Sequence, residues 1–256
     1  MCALMIVSHT YLGMHVLARG IIFVDLALAQ VAALGMSIAF LVGEEPHSIT
    51  SLIYAFIATV TVAFLFAGLR YVPGKTTREV IIGCVYVVAT ALSIMILSRS
   101  SQGIEELKSL LNGNILWVSW QEIAIMAGVT SLLAVIHIVY RKYFYAMSFA
   151  SSKDDSNPGF FWDFLFFVSF AIIITLSVNV AGVLLVFAFL IIPIFSASLL
   201  CKSLIPQLLI GWGLGVFGAL LGLWVSYAGD LPVGATVVSF IGLLPFISLG
   251  VRYVLK

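Results

Sequence analysis

The stretch that decides the fold of this chain lies near its N-terminus, between residues 21 and 35. It reads Ile21-Ile22-Phe23-Val24-Asp25-Leu26-Ala27-Leu28-Ala29-Gln30-Val31-Ala32-Ala33-Leu34-Gly35. All but Asp25 and Gln30 are apolar or small, which is typical of a helix that crosses a bilayer. A carboxylate in hydrocarbon costs about 3 kcal/mol or more unless it faces a partner or a water-filled path, so Asp25 marks a candidate functional site.

The overall composition is that of an integral membrane protein. Of the 256 residues, 62% are hydrophobic and 9% charged, and the mean hydropathy is +1.20, whereas soluble domains have roughly 45–50% apolar and about 25% charged residues. A net charge of +1 provides no clustered basic face for phosphates, which argues against nucleic acid as a partner. The three cysteines are widely spaced and lie in or beside apolar runs, as small hydrophobic residues do, rather than forming a disulfide or zinc framework: Cys2, Cys84 and Cys201.

Apolar runs long enough to cross the hydrocarbon, at about 20 residues each, predict eight or nine membrane spans. They lie near 3–18, 21–43, 48–69, 79–98, 120–140, 160–179, 182–200, 205–228 and 232–254. The predicted fold is therefore an all-α polytopic transmembrane helix bundle, with a single domain over 1–256.

Basic residues in the connectors orient the predicted bundle. They cluster in alternate connectors and at the C-terminus: Arg70, Lys75, Arg78, Arg141, Lys142, Lys202, Arg252 and Lys256. By the positive-inside rule these segments are cytoplasmic, which fits nine crossings with an outer N-terminus and an inner C-terminus. The outer connector 98–120 is predicted to carry a surface helix over 103–111 that ends at Asn112-Gly113. The longest cytoplasmic excursion is 141–159.

Four glycines in the eighth predicted span follow the spacing i, i+4, i+7, i+11, which places them on one helix face: Gly211, Gly215, Gly218 and Gly222. Small residues let membrane helices approach closely, so this face predicts a tight interface within the protomer or across a dimer. In the second span, Ala29 and Ala32 share the face of Asp25, which predicts that the carboxylate faces a packed side or a cavity rather than lipid.

The segment from Gly68 to Thr76 resembles the sequence motif of a phosphate-binding loop, but five residues rather than four separate its two glycines. It also follows an apolar run with the length of a membrane helix instead of a buried strand. Any ATP hydrolysis must therefore come from another polypeptide.

Several segments resemble, in order and spacing, the metal-type permeases of bacterial ATP-binding cassette importers, a family that takes up zinc, manganese or iron. The signature stretch is 13–30, followed by 79–86, 110–119, 182–193 and 230–234. The resemblance implies a transport subunit without catalysis in a bacterial cytoplasmic (inner) membrane, surrounded by membrane lipid and paired as a homodimer. It also implies a separate ATPase subunit that binds the ATP, an extracytoplasmic metal-binding protein, and alternating access. The chain itself is expected to bind no cofactor, and a divalent metal is the transported species.

The resemblance and the chemistry of the residues suggest a substrate pathway at Asp25, Gln30 and Asp230. Asp25 and Gln30 are five residues apart, about 140° around a regular helix, so they form no same-turn chelate. Many family members have histidine where Gln30 stands, and an amide is a poorer ligand for a borderline metal. The residues that would bind the metal thus stay unknown, and the expected metal is zinc, with manganese or iron next.

By its position, segment 141–159 corresponds to the family's coupling segment. Ala146, Phe149 and Pro158 are its expected contacts with the ATPase. A stand-alone ion-coupled secondary transporter is the alternative function, because one buried carboxylate in a glycine-rich bundle suits proton coupling.

The remaining polar residues have more ordinary interpretations. His9 and His15 are predicted to lie at the membrane interface, and His137 to be a hydrogen-bonded core residue. Asp230 fits either the outer mouth of the pathway or an exposed turn, with the turn favoured.

Overall fold

The computed structural model describes residues 1–45, 48–100, 102–113, 115–149 and 159–254. Within these ranges the chain is helical and contains no strand. The α-helices are α1 (Cys2–Arg19), α2 (Val24–Leu41), α3 (Ile49–Gly68), α4 (Lys75–Leu97), α5 (Gly103–Asn112), α6 (Trp120–Val139), α7 (Arg141–Phe149), α8 (Phe160–Leu200), α9 (Leu204–Gly229), α10 (Val233–Gly242) and α11 (Leu244–Val254).

Local sequence signals account for several helix ends. The Ser48 hydroxyl accepts a hydrogen bond from the backbone N–H of Ser51 at the start of α3. At the start of α6, the Ser119 hydroxyl accepts from the N–H of Glu122, and the Glu122 carboxylate accepts from the N–H of Ser119. This reciprocal arrangement is a capping box. Gly113 ends α5 with a φ of 65°, which confirms the predicted surface helix and its Asn-Gly terminus.

Seven of the described helices are long and apolar enough to cross a membrane. One of them, α8, is a hairpin rather than a single span. Phe166 and Leu190 would be about 36 Å apart in a straight helix, yet Phe166 contacts the ring of His15 and Leu190 packs on Gly13. The chain therefore reverses at Gly182, whose φ of 74° and ψ of 165° are not helical.

The reversal makes the first arm (160–181) and the second arm (183–200) of α8 two separate spans, as the sequence predicts. With these arms counted separately, the seven apolar helices give eight spans, in agreement with the eight or nine predicted. The ninth candidate, α1, has 18 residues but is not among those seven helices. The last span differs in detail, because α10 and α11 are separate helices around Leu243. Pro245 lacks the N–H that would continue the hydrogen-bond ladder, and its ring crowds the carbonyl of Ile241.

The two ends of the bundle differ in charge. Arg19 at the end of α1 and Arg70 after α3 both pair with Asp163 at the start of α8. We call this the basic end, and the end that contains Gly182 the opposite end. Between them α2 is enclosed by α3, α4 and α8, and 72% of its residues are buried, against 17% in α6. The helix that carries Asp25 is thus the central one.

The glycine face of α9 packs within the same chain. Gly211 and Gly215 lie against α1 and the second arm of α8, whereas Gly218 and Gly222 lie against α10 and α11. A Cβ at position 222 would be 2.6 Å from the Cα of Val237. These contacts hold α9 at backbone distance from its neighbours.

Candidate functional site

Asp25 lies in the first turn of α2 and is fully buried. Neither carboxylate oxygen has a hydrogen-bond partner among the described residues. Ala29 and Ala32, on the same face of α2, are also fully buried. The prediction that the carboxylate faces away from lipid is confirmed.

The surroundings of Asp25 do not offset the cost of burying its charge. The N-terminus of α2 favours a nearby carboxylate by about 0.3–1 kcal/mol, and up to about 2 kcal/mol when partly buried. Burying an unpaired charge costs several kcal/mol. The cost of burial therefore exceeds the stabilisation by the helix dipole, and packing does not explain why a carboxylate stands at position 25. A buried carboxylate of this kind in a membrane protein is by default a candidate functional group.

Gln30 lines a small cavity of about 90 Å³, where α2 faces α4, α5 and the start of the second arm of α8. The polar side chains of Thr90 and Ser93 also line this cavity, whereas Asp25 does not. α2 is a regular helix at this point, so Asp25 and Gln30 point in different directions, as their spacing predicts.

Asp230 does not line the cavity of Gln30. It ends α9 at the opposite end with a left-handed backbone (φ 50°, ψ 45°) and is exposed. The structure therefore shows an exposed turn residue and does not bring the three predicted pathway residues together. Among the described residues, no group of three or more His, Cys, Asp or Glu side chains is placed to bind a metal.

The predicted coupling segment begins with a short helix, α7, that docks on the basic end. Ser148 is within hydrogen-bond distance of His15 Nδ1, at 2.8 Å. The ring of Phe149 also packs on His15, with centroids 5.4 Å apart. Ala146 and Phe149 are both half-buried, so part of this surface is engaged within the protomer. Pro158 lies outside the described residues.

Arg19 joins α7 to the rest of the bundle. Its Nε donates to the Ser148 hydroxyl at 3.1 Å, its Nη1 donates to Asp163 at 3.0 Å, and its guanidinium lies 4.1 Å from the ring centre of Phe166. The other oxygen of Asp163 accepts from Arg70 at 2.8 Å. One arginine and one carboxylate thus connect α1, α7, α8 and the segment that follows α3.

Two of the predicted histidine positions are wrong. His9 and His15 are buried rather than interfacial, because α7, α8 and α9 cover α1 on several sides. His137 is buried within hydrogen-bond distance of Tyr11 and Ser169, which confirms it as a satisfied core residue. Tyr11, His15 and Arg19 form one polar face of α1. Their four-residue spacing is the sequence signal for this face, since residues four apart in a helix lie about one turn apart on the same side.

Similarity to known proteins assigns the chain to a family. A model described as the ABC 3 transport family matches residues 1–252. This chain belongs to that family. The manganese transport system membrane protein MntC of Listeria innocua is 26% identical over 247 residues, which cover 93% of this chain and 83% of that protein. The manganese import system permease protein ScaB of Streptococcus gordonii is 24% identical over 231 residues, covering 88% and 80%.

Solved structures show the same fold. PsaBC from Streptococcus pneumoniae in complex with Fab superposes with a TM-score of 0.75 at 20% identity, over 96% of this chain and 87% of that chain. An inward-facing metal-chelate type ABC transporter gives 0.68 at 18% identity, over 100% and 84%. Together with the apolar helices, the family and its bacterial members identify a multi-pass protein of the bacterial cytoplasmic membrane.

Proposed function

We propose that this chain is the membrane-spanning permease subunit of an ATP-dependent importer of a divalent metal. The observation that carries the proposal is the family match over residues 1–252, since a match of that extent reaches every helix of the bundle. The basic end is then the cytoplasmic side. Two copies form the pathway, an ATPase subunit binds each copy, and an extracytoplasmic protein delivers the metal.

Manganese is the preferred metal in this proposal, ahead of zinc and iron. Relatives at 24% and 26% identity are named for manganese. The chemistry of the candidate residues agrees, because carboxylate and carbonyl oxygens suit Mn²⁺, whereas zinc sites favour imidazole and thiolate. Asp25 and Gln30 supply oxygen ligands from one helix. Since they face different directions, they act as successive contacts along the pathway rather than as one chelate.

Transport in this proposal proceeds by alternating access driven from α7. Closure of the two ATPase subunits displaces the coupling segment 141–159. That displacement reaches α1 through the contact between Ser148 and His15, and it reaches α8 through the stacked rings of Tyr143 and Trp162, whose centroids are 4.0 Å apart. Both α1 and α8 belong to the packed core, and α8 contacts α2.

Affinity purification of the tagged chain from its own bacterium tests the proposal. We expect an ATPase with a phosphate-binding loop to copurify, and Mn²⁺ with the extracytoplasmic protein to stimulate hydrolysis by the reconstituted complex. The alternative, an ion-coupled secondary transporter, predicts instead that the chain alone moves metal in response to a proton or sodium gradient. That result without any ATPase would overturn the proposal.

A further inference from the structure

The basic end contains a cavity beside α7 that is not part of the proposed metal pathway. Its volume is about 510 Å³, within the range of roughly 300–1,000 Å³ of small-molecule sites. The cavity lies between the end of α1, the end of α3, the start of α4, α7 and the first arm of α8. The side chains that line this cavity are mostly cationic where they are charged, and such side chains repel a metal cation.

Positive charge dominates this cavity. Four cationic side chains line it, namely Arg19, Arg70, Lys75 and Arg78, together with one carboxylate, Asp163. Asp163 is already shared between Arg19 and Arg70. Neither Lys75 nor Arg78 has a carboxylate within 4.0 Å in the described part of the chain. The lining therefore attracts an anion.

The start of α4 adds to this attraction. The helix has 23 residues, no side-chain cap and no acidic residue in its first turn. Its unpaired N–H groups and its dipole favour a negative charge, and phosphate groups are typical ligands at such helix ends. Lys75, its first residue, lines the cavity itself.

Apart from Ser148, the remaining lining is apolar. It includes Phe66, Ile82 and Phe167, which belong to helices α3, α4 and α8 that also form membrane spans. A cavity that is cationic on one side and apolar on the other, at the end of a membrane-spanning bundle, matches a phospholipid better than a soluble anion. Basic pockets between helices on the cytoplasmic side are typical sites for acidic lipid headgroups.

We propose that this cavity binds the headgroup phosphate of an anionic phospholipid from the cytoplasmic leaflet. Lys75 and Arg78 pair with the phosphate, and the apolar wall contacts the start of the acyl chains. The bound lipid would then lie beside Ser148 and Met147 of α7, so the lipid composition of the membrane tunes how firmly the coupling helix is held.

Lipid retention by the purified full-length chain, with its copurifying partners, tests the site. The chain is placed in nanodiscs of equal parts phosphatidylglycerol and phosphatidylcholine, released, and examined by native mass spectrometry. Lys75→Gln is the test variant and Lys202→Gln the matched control, because Lys202 is an exposed lysine in the connector between α8 and α9 and does not line the cavity. Thermal unfolding in phosphatidylcholine alone checks that each variant keeps its fold.

We expect the wild-type chain to retain phosphatidylglycerol in preference to phosphatidylcholine. Lys75→Gln should weaken that retention about fivefold, the effect of about 1 kcal/mol per basic residue at an anionic lipid, and Lys75→Glu should weaken it further. Lys202→Gln should leave it unchanged. Equal losses of phosphatidylglycerol retention in the Lys75 and Lys202 variants would indicate only a general attraction to the acidic membrane surface and would overturn the site. Unchanged retention in both variants would also overturn it.

Two further outcomes distinguish other occupants. If inorganic phosphate alone stabilises the wild-type chain and displaces the lipid, the ligand is free phosphate and the lipid proposal is wrong. If Lys75→Gln releases the ATPase while lipid retention stays at the wild-type level, the cavity holds an acidic segment of that partner. In that case the lipid proposal is also wrong.

Discussion

Replacing Gly222 by alanine adds one methyl group where α9 meets α10. The new Cβ would be 2.6 Å from the Cα of Val237 and 3.1 Å from its Cγ2. A backbone atom cannot turn away as a flexible side chain can, so α10 has to shift. Gly213, nine residues earlier on α9, is the matched control, because a Cβ there meets nothing within 4 Å.

The two substitutions share one effect and differ in another. Alanine is favoured over glycine inside a helix by about 1 kcal/mol at both positions. Overpacking costs about 1–3 kcal/mol and applies only at position 222. At about 2–4 °C per kcal/mol for a chain of this size, Gly222→Ala should unfold roughly 2–12 °C below Gly213→Ala.

Thermal unfolding of both variants in the same detergent measures this difference, with dimer content determined by size-exclusion chromatography with light scattering. Equal unfolding temperatures would refute the idea that the glycine face fixes the position of α10. A change in dimer content without loss of stability would instead place the interface between protomers.

Other predictions concern transport and coupling. Asp25→Asn should abolish uptake of radiolabelled manganese in cells while the protein stays in the membrane, and near-normal uptake would remove the carboxylate from the pathway. Ala146→Glu should uncouple the complex, so that ATP hydrolysis continues or the ATPase dissociates while uptake falls; robust transport would move the coupling surface elsewhere. Ser148→Ala removes a partner of both His15 and Arg19, which should cost about 1–3 kcal/mol. Protection of α7 from hydrogen exchange should fall in this variant, and unchanged protection would show that other contacts hold the helix.

The positions of the spans along the chain were predictable because they depend on local properties of the sequence. Length and apolarity identify each helix, and an Asn-Gly pair marks the end of α5. The burial of Asp25 followed from small residues one and two turns away on its own helix. These inferences need no knowledge of which helix packs on which.

The polar contacts of α1 were not predictable, because they depend on residues that are distant in the sequence. Whether His15 is interfacial or buried depends on α7, more than 120 residues later in the chain, and on the first arm of α8. Arg19 meets Asp163 only because the chain returns to the same end of the bundle several times. Periodicity shows which residues share a face, but it does not identify the partner that covers them.

ATP-dependent uptake of manganese by proteoliposomes tests the central claim most directly. The vesicles contain this chain, its copurifying ATPase and the extracytoplasmic protein, with ATP supplied on the ATPase side and radiolabelled Mn²⁺ on the other. The proposed function predicts uptake that requires ATP and is lost in Asp25→Asn. Uptake that proceeds without ATP and follows an ion gradient, or hydrolysis that no divalent metal stimulates, would contradict it.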